Sequence, residues 1–415
     1  MRNKKIGIVS LGYAWLPCEA GPSRFYYIAR MLSEEGYDVD LIGSSFQHFK
    51  KEPRDKKRIL SQNYPFKITF IDVPPYKRNI DIRRVLSNRE AAKNVMKYIV
   101  KHRYDLIYCS IPANNISAKV GAYCKKKHIP FIVDVEDLWP EAMEMVIKIP
   151  VIKRFIFAPF LRDAERTYSC ADAVIGTSDE YTNRAFKYQD RNVLRETVYV
   201  GCDLDVFDAG AASHINDIEK DKDGFWVTYA GSIGASYDIR TLVQAAGLLL
   251  KEGYENIRIK ILGTGPLKEE LEQMSQKQGC RNVEFLGYTK YPLMAAYLKK
   301  SNILINSFVK GAPQSIVNKV GDYLAAGKPV INTLENPEFM GIVERNRIGV
   351  NIEPENAELL AETIERLYED IHACQFMGEN ARKLGENRFD RKRSYQKIIE
   401  VADQLIGQDG YNRNG

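Results

Sequence analysis

Two glycine-bearing loops in the second half of the chain carry residue types that could bind a phosphorylated ligand. They are Ala230-Gly-Ser-Ile-Gly234 and Leu262-Gly-Thr-Gly-Pro-Leu267, and each follows a short apolar run. Glycines after a strand let a ligand approach the backbone, and the free N–H groups at the next helix start favour a phosphate. Tight turns also use glycine for structural reasons, so either loop alone is weak support and the pair is stronger.

A charged segment further along, Gln314–Val330, predicts a helix, a glycine turn and a buried strand. Lys319 and Asp322 stand three residues apart, so they share a helix face. A carboxylate there can accept hydrogen bonds from ribose hydroxyls, and a lysine can neutralise a diphosphate. The alternative is an ordinary i, i+3 surface ion pair, which the spacing alone favours.

Two carboxylates and one loop are the candidates in the first half. Glu136 and Asp137 end an apolar run, and sites in α/β proteins gather at the carboxyl ends of strands. Asp137 could therefore accept a sugar or acceptor hydroxyl, although it equally fits a helix N-cap before Leu-Trp-Pro. The loop after the first apolar run ends in Gly21-Pro-Ser-Arg24, where proline and serine suit a helix start.

A regular alternation of apolar runs and amphipathic stretches must position these residues. It predicts strands at 6–10, 38–43, 67–73, 105–111, 130–135, 173–178 and 197–201, then at 225–231, 257–262, 283–287, 302–306, 328–333 and 348–352. Runs rich in Val and Ile, each followed by a helix, are typical of βαβ units with a buried parallel sheet. Residues 206–224 are small and polar, which indicates a linker. We expect an α/β protein with two doubly wound, Rossmann-like domains that face a central cleft.

Composition excludes several classes of protein. The chain has 415 residues, 45% of them apolar, and its seven cysteines and five histidines show neither CxxC nor HxxxH spacing. A zinc finger, a zincin and a disulfide framework are therefore disfavoured. No apolar run reaches the ~18 residues of a spanning helix, and the first apolar run is too short for a signal peptide. These features favour a cytoplasmic protein.

The positive charge is concentrated in the first half of the chain. Residues 1–205 hold 34 Lys and Arg against 25 Asp and Glu, whereas the remainder holds 26 against 29. Basic clusters at 50–58, 77–84 and 125–127, with the mixed apolar and basic segment 146–160, predict peripheral attachment to an anionic membrane surface. The alternatives are chance scatter, a solvated basic face and a core helix. No nucleic-acid-binding pattern is present, so RNA and DNA are disfavoured partners.

In combination, the motifs resemble retaining glycosyltransferases of family 4, which have the GT-B fold. Four segments are similar, in order and separation, to that family's glycine loop, (V/L)xGxGP turn, NVxFLGxV strand and NKxxEYxAxGKPV helix and turn: 229–234, 261–266, 282–288 and 318–330. Residues 134–141, DVEDLWPE, are similar to the DxRDLWPE segment of a branch acting in surface-polysaccharide assembly. Residues 171–178 and 200–207 are similar to the family's ADxVIxxS and NGVDxxxF elements.

The resemblance implies a nucleotide-sugar donor held by the second domain, an acceptor held by the first, and retention of anomeric configuration. It places Asp322 at the ribose hydroxyls, Gly287 and Tyr288 at the nucleobase, and Lys319 at the phosphates. It places the two glycine loops at the diphosphate and sugar, through Gly231, Ser232, Gly234, Gly263, Gly265 and Pro266. Gly21, Ser23 and Arg24 are similar to the family's acceptor loop, and Glu136 and Asp137 would lie near the reacting sugar.

The sequence departs from the family pattern at two points. Gln314 occupies the place of the family's first glutamate, so it can hydrogen-bond sugar hydroxyls but carries no charge. The usual Arg and Lys after the first glycine loop are absent from residues 236–240. Phosphate neutralisation then falls to Lys319, to helix starts, or to a further residue such as Lys310. With Asp137 and Glu136, Lys319 completes the predicted catalytic set.

We expect neither a metal nor another cofactor. Three DxD sequences, at 38–40, 203–205 and 221–223, lie in a strand, a connection and a linker, and none has the oxygen-ligand cluster of a Mg²⁺ site. GT-B enzymes generally stabilise the leaving diphosphate with helix dipoles and basic side chains. The family resemblance also predicts domains at 1–205 and 206–385, with residues 386–415 forming a helix that crosses back to the first domain.

These features predict a retaining hexosyl- or N-acetylhexosaminyltransferase. The expected donor is UDP-linked and the expected acceptor is a sugar, polyprenyl-linked, in bacterial surface-polysaccharide biosynthesis at the cytoplasmic face of the plasma membrane. One alternative is a nucleotide-sugar 2-epimerase of the same fold. A second is a non-catalytic sugar-binding or scaffold protein, suggested by Gln314 and the missing basic pair.

Overall fold

A computed structural model describes residues 4–19, 21–78, 81–138, 150–187 and 193–412 of the chain. The chain divides into two compact units, residues 1–198 with 395–415, and residues 199–394. Each unit is built on one parallel β-sheet, and the strands are numbered along the chain. None of the described helices combines the length and the apolar character that a membrane crossing requires.

The first unit contains a seven-stranded parallel sheet in the order β5-β2-β1-β6-β7-β8-β9. Its strands, with a short antiparallel hairpin formed by β3 and β4, are β1 Lys5–Val9, β2 Asp38–Ser44, β3 Phe46–Gln47, β4 Glu52–Pro53, β5 Lys67–Ile71, β6 Leu106–Ile111, β7 Phe131–Val135, β8 Ala173–Gly176 and β9 Leu194–Thr197. Its helices are Arg24–Glu34, Lys56–Leu60, Ile82–Lys101, Asn114–Lys127, Pro150–Cys170, Asp179–Arg184 and Gln396–Asn412.

Helices cover both faces of this sheet, which is why its central strands are continuous apolar runs. Every residue of β6, β7 and β8 is buried, and the sheet separates two apolar cores. The last helix, Gln396–Asn412, belongs to one of these cores. Its Ile398 and Ala402 join the cluster around Ile6 and Ile8, so the C-terminus completes the first unit.

The second unit contains a six-stranded parallel sheet in the order β12-β11-β10-β13-β14-β15. Its strands are β10 Phe225–Ala230, β11 Ile257–Leu262, β12 Val283–Gly287, β13 Ile303–Asn306, β14 Val330–Asn332 and β15 Gly349–Asn351. Its helices are Leu204–His214, Ile239–Lys251, Lys268–Lys277, Tyr291–Lys300, Lys319–Ala326, Pro337–Asn346, Ala357–Glu369, Ile371–Leu384 and Arg391–Ser394, with a π-helical turn at Gly385–Phe389. We call Lys319–Ala326 the site helix.

The prediction of a linker at 206–224 is wrong for residues 206–214. Residues Leu204–His214 form a helix, because Asp203 caps its start and accepts a hydrogen bond from the Val206 N–H. Phe207 and Ala211 are buried in a core of the second unit. The boundary between the units accordingly lies after Val198, seven residues before the expected position at 205.

Two helix starts matter for the site. The helix after the second glycine loop begins at Lys268, two residues beyond Pro266. The helix predicted to begin near Gln314 begins at Lys319. The loop before it is held by carboxylates instead, since the N–H groups of Lys310 and Gly311 donate to Glu355 (3.1 Å) and Glu335 (2.7 Å).

Candidate functional site

The loops that follow β10, β11 and β12 are bonded to one another at the carboxyl edge of the second sheet. The Gly231 N–H donates to the Leu262 carbonyl (2.9 Å), and the Ile233 N–H donates to the Thr264 carbonyl (2.9 Å). The Gly263 N–H donates to the Gly287 carbonyl (2.8 Å). Backbone groups of three strand ends therefore form one connected rim, where ligands of open α/β sheets bind.

The glycines of this rim have two different functions. A Cβ at Gly263 would lie 1.8 Å from the Gly231 carbonyl oxygen, and a Cβ at Gly265 would lie 2.1 Å from that of Ile233. Gly263 and Gly265 are thus required by the packing of one loop on the other. Gly234 has no atom within 4 Å of its would-be Cβ, so its open side can receive a ligand.

The site helix is fixed to the end of β10 by a buried tyrosine. The Tyr323 hydroxyl accepts a hydrogen bond from the Ala230 N–H (2.9 Å) and donates to the Ile305 carbonyl (3.1 Å). Gly321 allows the helix to lie against the backbone at Gly201, because a Cβ on Gly321 would be only 2.7 Å from the carbonyl carbon of Gly201. The helix ends at Gly327 in the left-handed conformation. Lys319 and Asp322 are thereby placed beside the first glycine loop.

Lys319 is a shielded amine enclosed by aromatic rings. Its Nζ lies 4.3 Å from the ring centroid of Tyr229, 4.6 Å from that of Tyr237 and 4.9 Å from that of Phe308. The Nζ has no hydrogen-bond acceptor among the described residues, and burial lowers its pKa to about 7. A Cβ at Gly231 would lie 3.6 Å from this Nζ. The amine therefore lies against the first glycine loop, and the surface ion pair with Asp322 does not form.

Asp322 is bonded to a tyrosine that the sequence analysis did not select. The Tyr291 hydroxyl donates to the Asp322 carboxylate (2.8 Å) and lies 3.3 Å from the Cys202 sulfur. Burial raises the pKa of Asp322, and the bonds from Tyr291 and Cys202 act in the opposite direction. The carboxylate is therefore oriented before any ligand arrives.

Two further polar atoms near the site helix lack partners within the described chain. The Gln314 Oε1 and the Ser315 Oγ are both shielded and unbonded, and Ser315 is only 6% exposed. Buried polar atoms are usually hydrogen-bonded, so orphaned ones indicate a missing ligand or water. Nothing in the sequence pointed to Ser315, whereas the family pattern predicted a site role for Gln314.

Gly287 and Tyr288 stand at the end of β12 and are open to their surroundings. Gly287 has a φ of +68° and nothing within 4 Å of its would-be Cβ. The Tyr288 side chain is 79% exposed, which is high for an aromatic ring. An exposed ring beside a glycine can stack on a planar group such as a nucleobase.

In the first unit, the carboxylates after β7 lie in a partly buried setting. The Glu136 Oε2 is shielded and has no partner in the described ranges. Burial, together with the negative charges of Asp134 and Asp137, raises the pKa of Glu136 to about 8, although Arg24 opposes this. Asp137 also raises the pKa of Tyr13, after the larger effect of burial. Glu136 can therefore carry a proton near neutral pH.

The acceptor-loop residues have mainly structural contacts. The Ser23 Oγ caps the helix Arg24–Glu34 by accepting from the Tyr26 N–H (3.3 Å). Arg24 is buried, and its guanidinium donates to Asp134 (2.8 Å) and to the Val198 carbonyl (2.9 Å). Arg24 is therefore not presented to an acceptor, which corrects the expectation for this residue. Gly21, with a φ of +102°, has open space on its side-chain face.

A cavity of about 60 Å³ in the first unit escaped the sequence analysis. It lies at the carboxyl ends of β1, β2, β5 and β6, and its polar lining includes Tyr13, Ser44, His48, Tyr76, Arg84 and Ser110. His48 is hydrogen-bonded to the Tyr76 hydroxyl, and burial, Arg84 and Lys51 lower its pKa to about 4. The residues come from five separate segments, so no local motif could reveal them.

Two of the three DxD sequences, at 38–40 and 203–205, have structural roles. Asp40 accepts hydrogen bonds from the hydroxyls of Tyr98 and Tyr104 (2.8 Å each) and Thr69 (2.7 Å). Asp203 caps a helix. Within the described ranges, no group of three or more His, Cys, Asp or Glu is arranged to hold a metal ion.

Two Rossmann-like units with these strand-end loops define the GT-B class, and comparison with a solved structure agrees. HepE from Anabaena, in complex with UDP, is 16% identical in sequence and superposes with a TM-score of 0.69. The superposition covers 97% of this chain and 100% of the HepE chain. This chain is a glycosyltransferase with the GT-B fold.

The family follows from both halves of the sequence. Residues 23–206 match the family described as Glycosyltransferase Family 4, and residues 212–384 match Glycosyl transferases group 1. The chain belongs to glycosyltransferase family 4. It is 20% identical over 365 residues to the "Putative glycosyltransferase EpsD" of Bacillus subtilis, covering 84% of this chain and 90% of the relative. It is 29% identical over 143 residues to the "Putative colanic acid biosynthesis glycosyl transferase WcaI" of Escherichia coli, covering 34% of each.

Proposed function

We propose that this glycosyltransferase moves a sugar, with retention of configuration, from a UDP-linked donor to a sugar acceptor in surface-polysaccharide synthesis. The observation that carries the proposal is the Lys319 Nζ, a shielded amine that lies against the first glycine loop with no acceptor in the described chain. A buried ammonium without a counter-ion is costly, and a diphosphate would supply the missing negative charge.

The surrounding residues extend this assignment from phosphate to nucleotide. Asp322, already oriented by Tyr291, would accept bonds from the ribose hydroxyls. The exposed ring of Tyr288 and the open backbone at Gly287 would receive the base. Gln314 and Ser315, with their unbonded oxygens, would bond the sugar or phosphate. A uridine base is supported by the HepE structure, which was determined with UDP.

The chemistry would depend on stabilising the leaving diphosphate. The Lys319 ammonium and backbone N–H groups of the Gly231–Gly234 loop would bind the charge that develops as the bond to the sugar breaks. The proposed mechanism uses no metal ion. Glu136, protonated near neutral pH, could donate a hydrogen bond to a hydroxyl, and Asp137 could accept one from the acceptor.

Attachment of the first unit to a membrane would bring a polyprenyl-linked acceptor within reach. The helix Ile82–Lys101 exposes Ile82, Leu86 and Val100 together with Lys93, Lys97 and Lys101. Exposed apolar side chains among lysines suit the boundary of an anionic leaflet. We place the enzyme at the cytoplasmic face of the plasma membrane on this ground.

Calorimetric titration of the full chain with UDP and GDP tests the proposed function. Binding of UDP in preference to GDP, accompanied by slow hydrolysis of UDP-sugars, is the expected result. Absence of nucleotide binding would favour a scaffold protein instead. Conversion of a UDP-sugar into its 2-epimer, detected by NMR, would favour the epimerase.

A further inference from the structure

The aromatic enclosure of Lys319 is unusual because the Nζ has no hydrogen-bond acceptor among the described residues. An ammonium has three N–H donors and no acceptor capacity. Here the ring centroids of Tyr229, Tyr237 and Phe308 lie between 4.3 and 4.9 Å from the Nζ. The Tyr229 hydroxyl donates to the Ser232 carbonyl (2.6 Å) and makes no hydrogen bond with the amine. We call these three residues the Lys319 cage.

Two opposing effects act on the proton of this amine. Ring faces attract a cation by roughly 0.5–2 kcal/mol, which favours the charged form. Removal from water disfavours the charged form by more, because none of the three N–H donors is bonded. Burial is the cause that lowers the pKa of Lys319 to about 7. Without an anion, the amine is therefore close to losing its proton at neutral pH.

No charged neighbour in the described chain alters this balance. The tyrosines around the amine are Tyr229, Tyr237 and Tyr323, and burial raises the pKa of each, so all stay neutral below alkaline pH. Asp238, which follows Tyr237, accepts hydrogen bonds from the Thr241 and Glu355 N–H groups, and neither it nor Lys310 exerts a resolved effect on Lys319. Asp322, on the same helix, is bonded to Tyr291 and exerts no resolved effect on Lys319. A change in the charge of the amine must then come from pH or from a ligand.

We propose that Tyr229, Tyr237 and Phe308 are positioning residues that keep Lys319 poised between its neutral and charged forms, so that the donor diphosphate binds together with a proton. The diphosphate favours the ammonium, and the amine therefore takes up a proton from solvent when the donor binds. This inference rests on the proposed function, since it requires a diphosphate at the first glycine loop. It adds that the affinity of the site for its donor falls as pH rises.

The direction in which the donor affinity changes with pH follows from the linkage between proton binding and ligand binding. The ligand binds the protonated amine, so the pKa of Lys319 rises on binding and the affinity is lost above the pKa of the free protein. With that value near 7, the Kd should rise about tenfold between about pH 7 and about pH 8.3. Proton uptake should be about half a proton at about pH 7 and should approach one at about pH 8.

Calorimetry with UDP-glucose and UDP-N-acetylglucosamine tests this on the full chain. The diphosphate of these probes is a diester and does not titrate near neutral pH, so proton uptake reports on the protein. Titrations in two buffers of different ionisation enthalpy give the number of protons taken up. Lys319→Arg should bind without proton uptake and with a flat pH profile, because a guanidinium keeps its charge.

A matched pair of variants examines the cage itself. Tyr237→Ser admits water to the amine, so the tenfold pH effect should shrink to about twofold or less while nucleotide binding persists. Tyr237→Phe keeps the ring and should retain the wild-type pH profile. A purely structural role for Tyr237 would weaken binding equally at every pH.

The outcomes separate this inference from the proposed function. If the probes fail to bind at any pH, both are wrong. If they bind with the same Kd from about pH 6 to 8.5, or if Lys319→Arg keeps the wild-type proton uptake, the proton linkage is wrong and the donor site remains.

Discussion

Two shielded basic side chains in this chain have opposite surroundings, and the difference lies in whether a carboxylate faces them. Arg24 lies against Asp134, which is fully buried and 110 positions away in sequence. Lys319 faces three rings and no carboxylate. The sequence contains both residues but not their neighbours, because contacts across such separations form only in the folded sheet. The family pattern therefore selected Lys319 and Arg24 alike, although their surroundings in the fold are opposite.

Removal of the Arg24 charge should reduce stability rather than acceptor binding. Arg24→Met leaves the Asp134 carboxylate buried without its cation, which typically costs about 3–5 kcal/mol of unfolding free energy. Urea denaturation followed by circular dichroism measures the loss. The double variant Arg24→Met, Asp134→Leu should recover much of it, since no unpaired charge remains. A stable Arg24→Met protein with a raised acceptor KM would restore the original assignment.

The Asp322 carboxylate should contribute strongly to nucleotide affinity. Asp322→Ala removes charge-assisted bonds to the ribose, each worth about 1.5–3 kcal/mol, so the Kd for UDP should rise about 10–100-fold. Tyr291→Phe removes only the hydroxyl that orients the carboxylate and should cause a several-fold increase. Calorimetric titration measures both. Unchanged UDP affinity in Asp322→Ala would refute its placement at the ribose.

At the scale of the elements, the sequence predicted the sheets well because both are parallel and buried. Continuous apolar runs such as those forming β6 and β8 are a strong signal when a helix follows. The helix Leu204–His214 was missed, because its Ala- and Gly-rich sequence also fits a linker and only contact with the core decides between them. The start of the site helix was likewise misplaced, since the carboxylates that hold the preceding loop come from Glu335 and Glu355.

The glycines of the rim at the second sheet should differ in what they contribute: Gly265 to packing of the loops, and Gly234 to the approach of a ligand. Gly265→Ala forces a methyl group against the Ile233 carbonyl and should cost about 1–3 kcal/mol of stability. Gly234→Ala places its methyl group in open space, so the melting temperature should barely change while the Kd for UDP rises. Thermal unfolding with and without UDP measures both effects. Equal loss of stability in the two variants would contradict the division of roles.

At the scale of the whole molecule, the charge asymmetry follows the two units only approximately. The residues counted up to 205 carry the positive excess, and the unit boundary lies close by, after Val198. Residues 395–415 return to the first unit and hold two basic and three acidic residues, so its positive excess remains. Net charge bears on association with surfaces and partners and not on fold. The sequence could therefore suggest an anionic surface, but only the structure shows that the helix Ile82–Lys101 exposes lysines and apolar side chains together.

That helix, Ile82–Lys101, should govern binding to anionic membranes. Each lysine near an anionic leaflet contributes about 1 kcal/mol, so reversing two charges in Lys97→Glu, Lys101→Glu should lower vesicle binding at least tenfold. The matched control, Lys251→Glu, Lys277→Glu, reverses two exposed lysines in the second unit and should bind as the wild type does. Co-sedimentation with phosphatidylserine-containing vesicles at low and high salt measures the difference, since salt screens this attraction. Equal binding to neutral and anionic vesicles would show that the lysines do not attach the enzyme, and would leave its acceptor to be reached in another way.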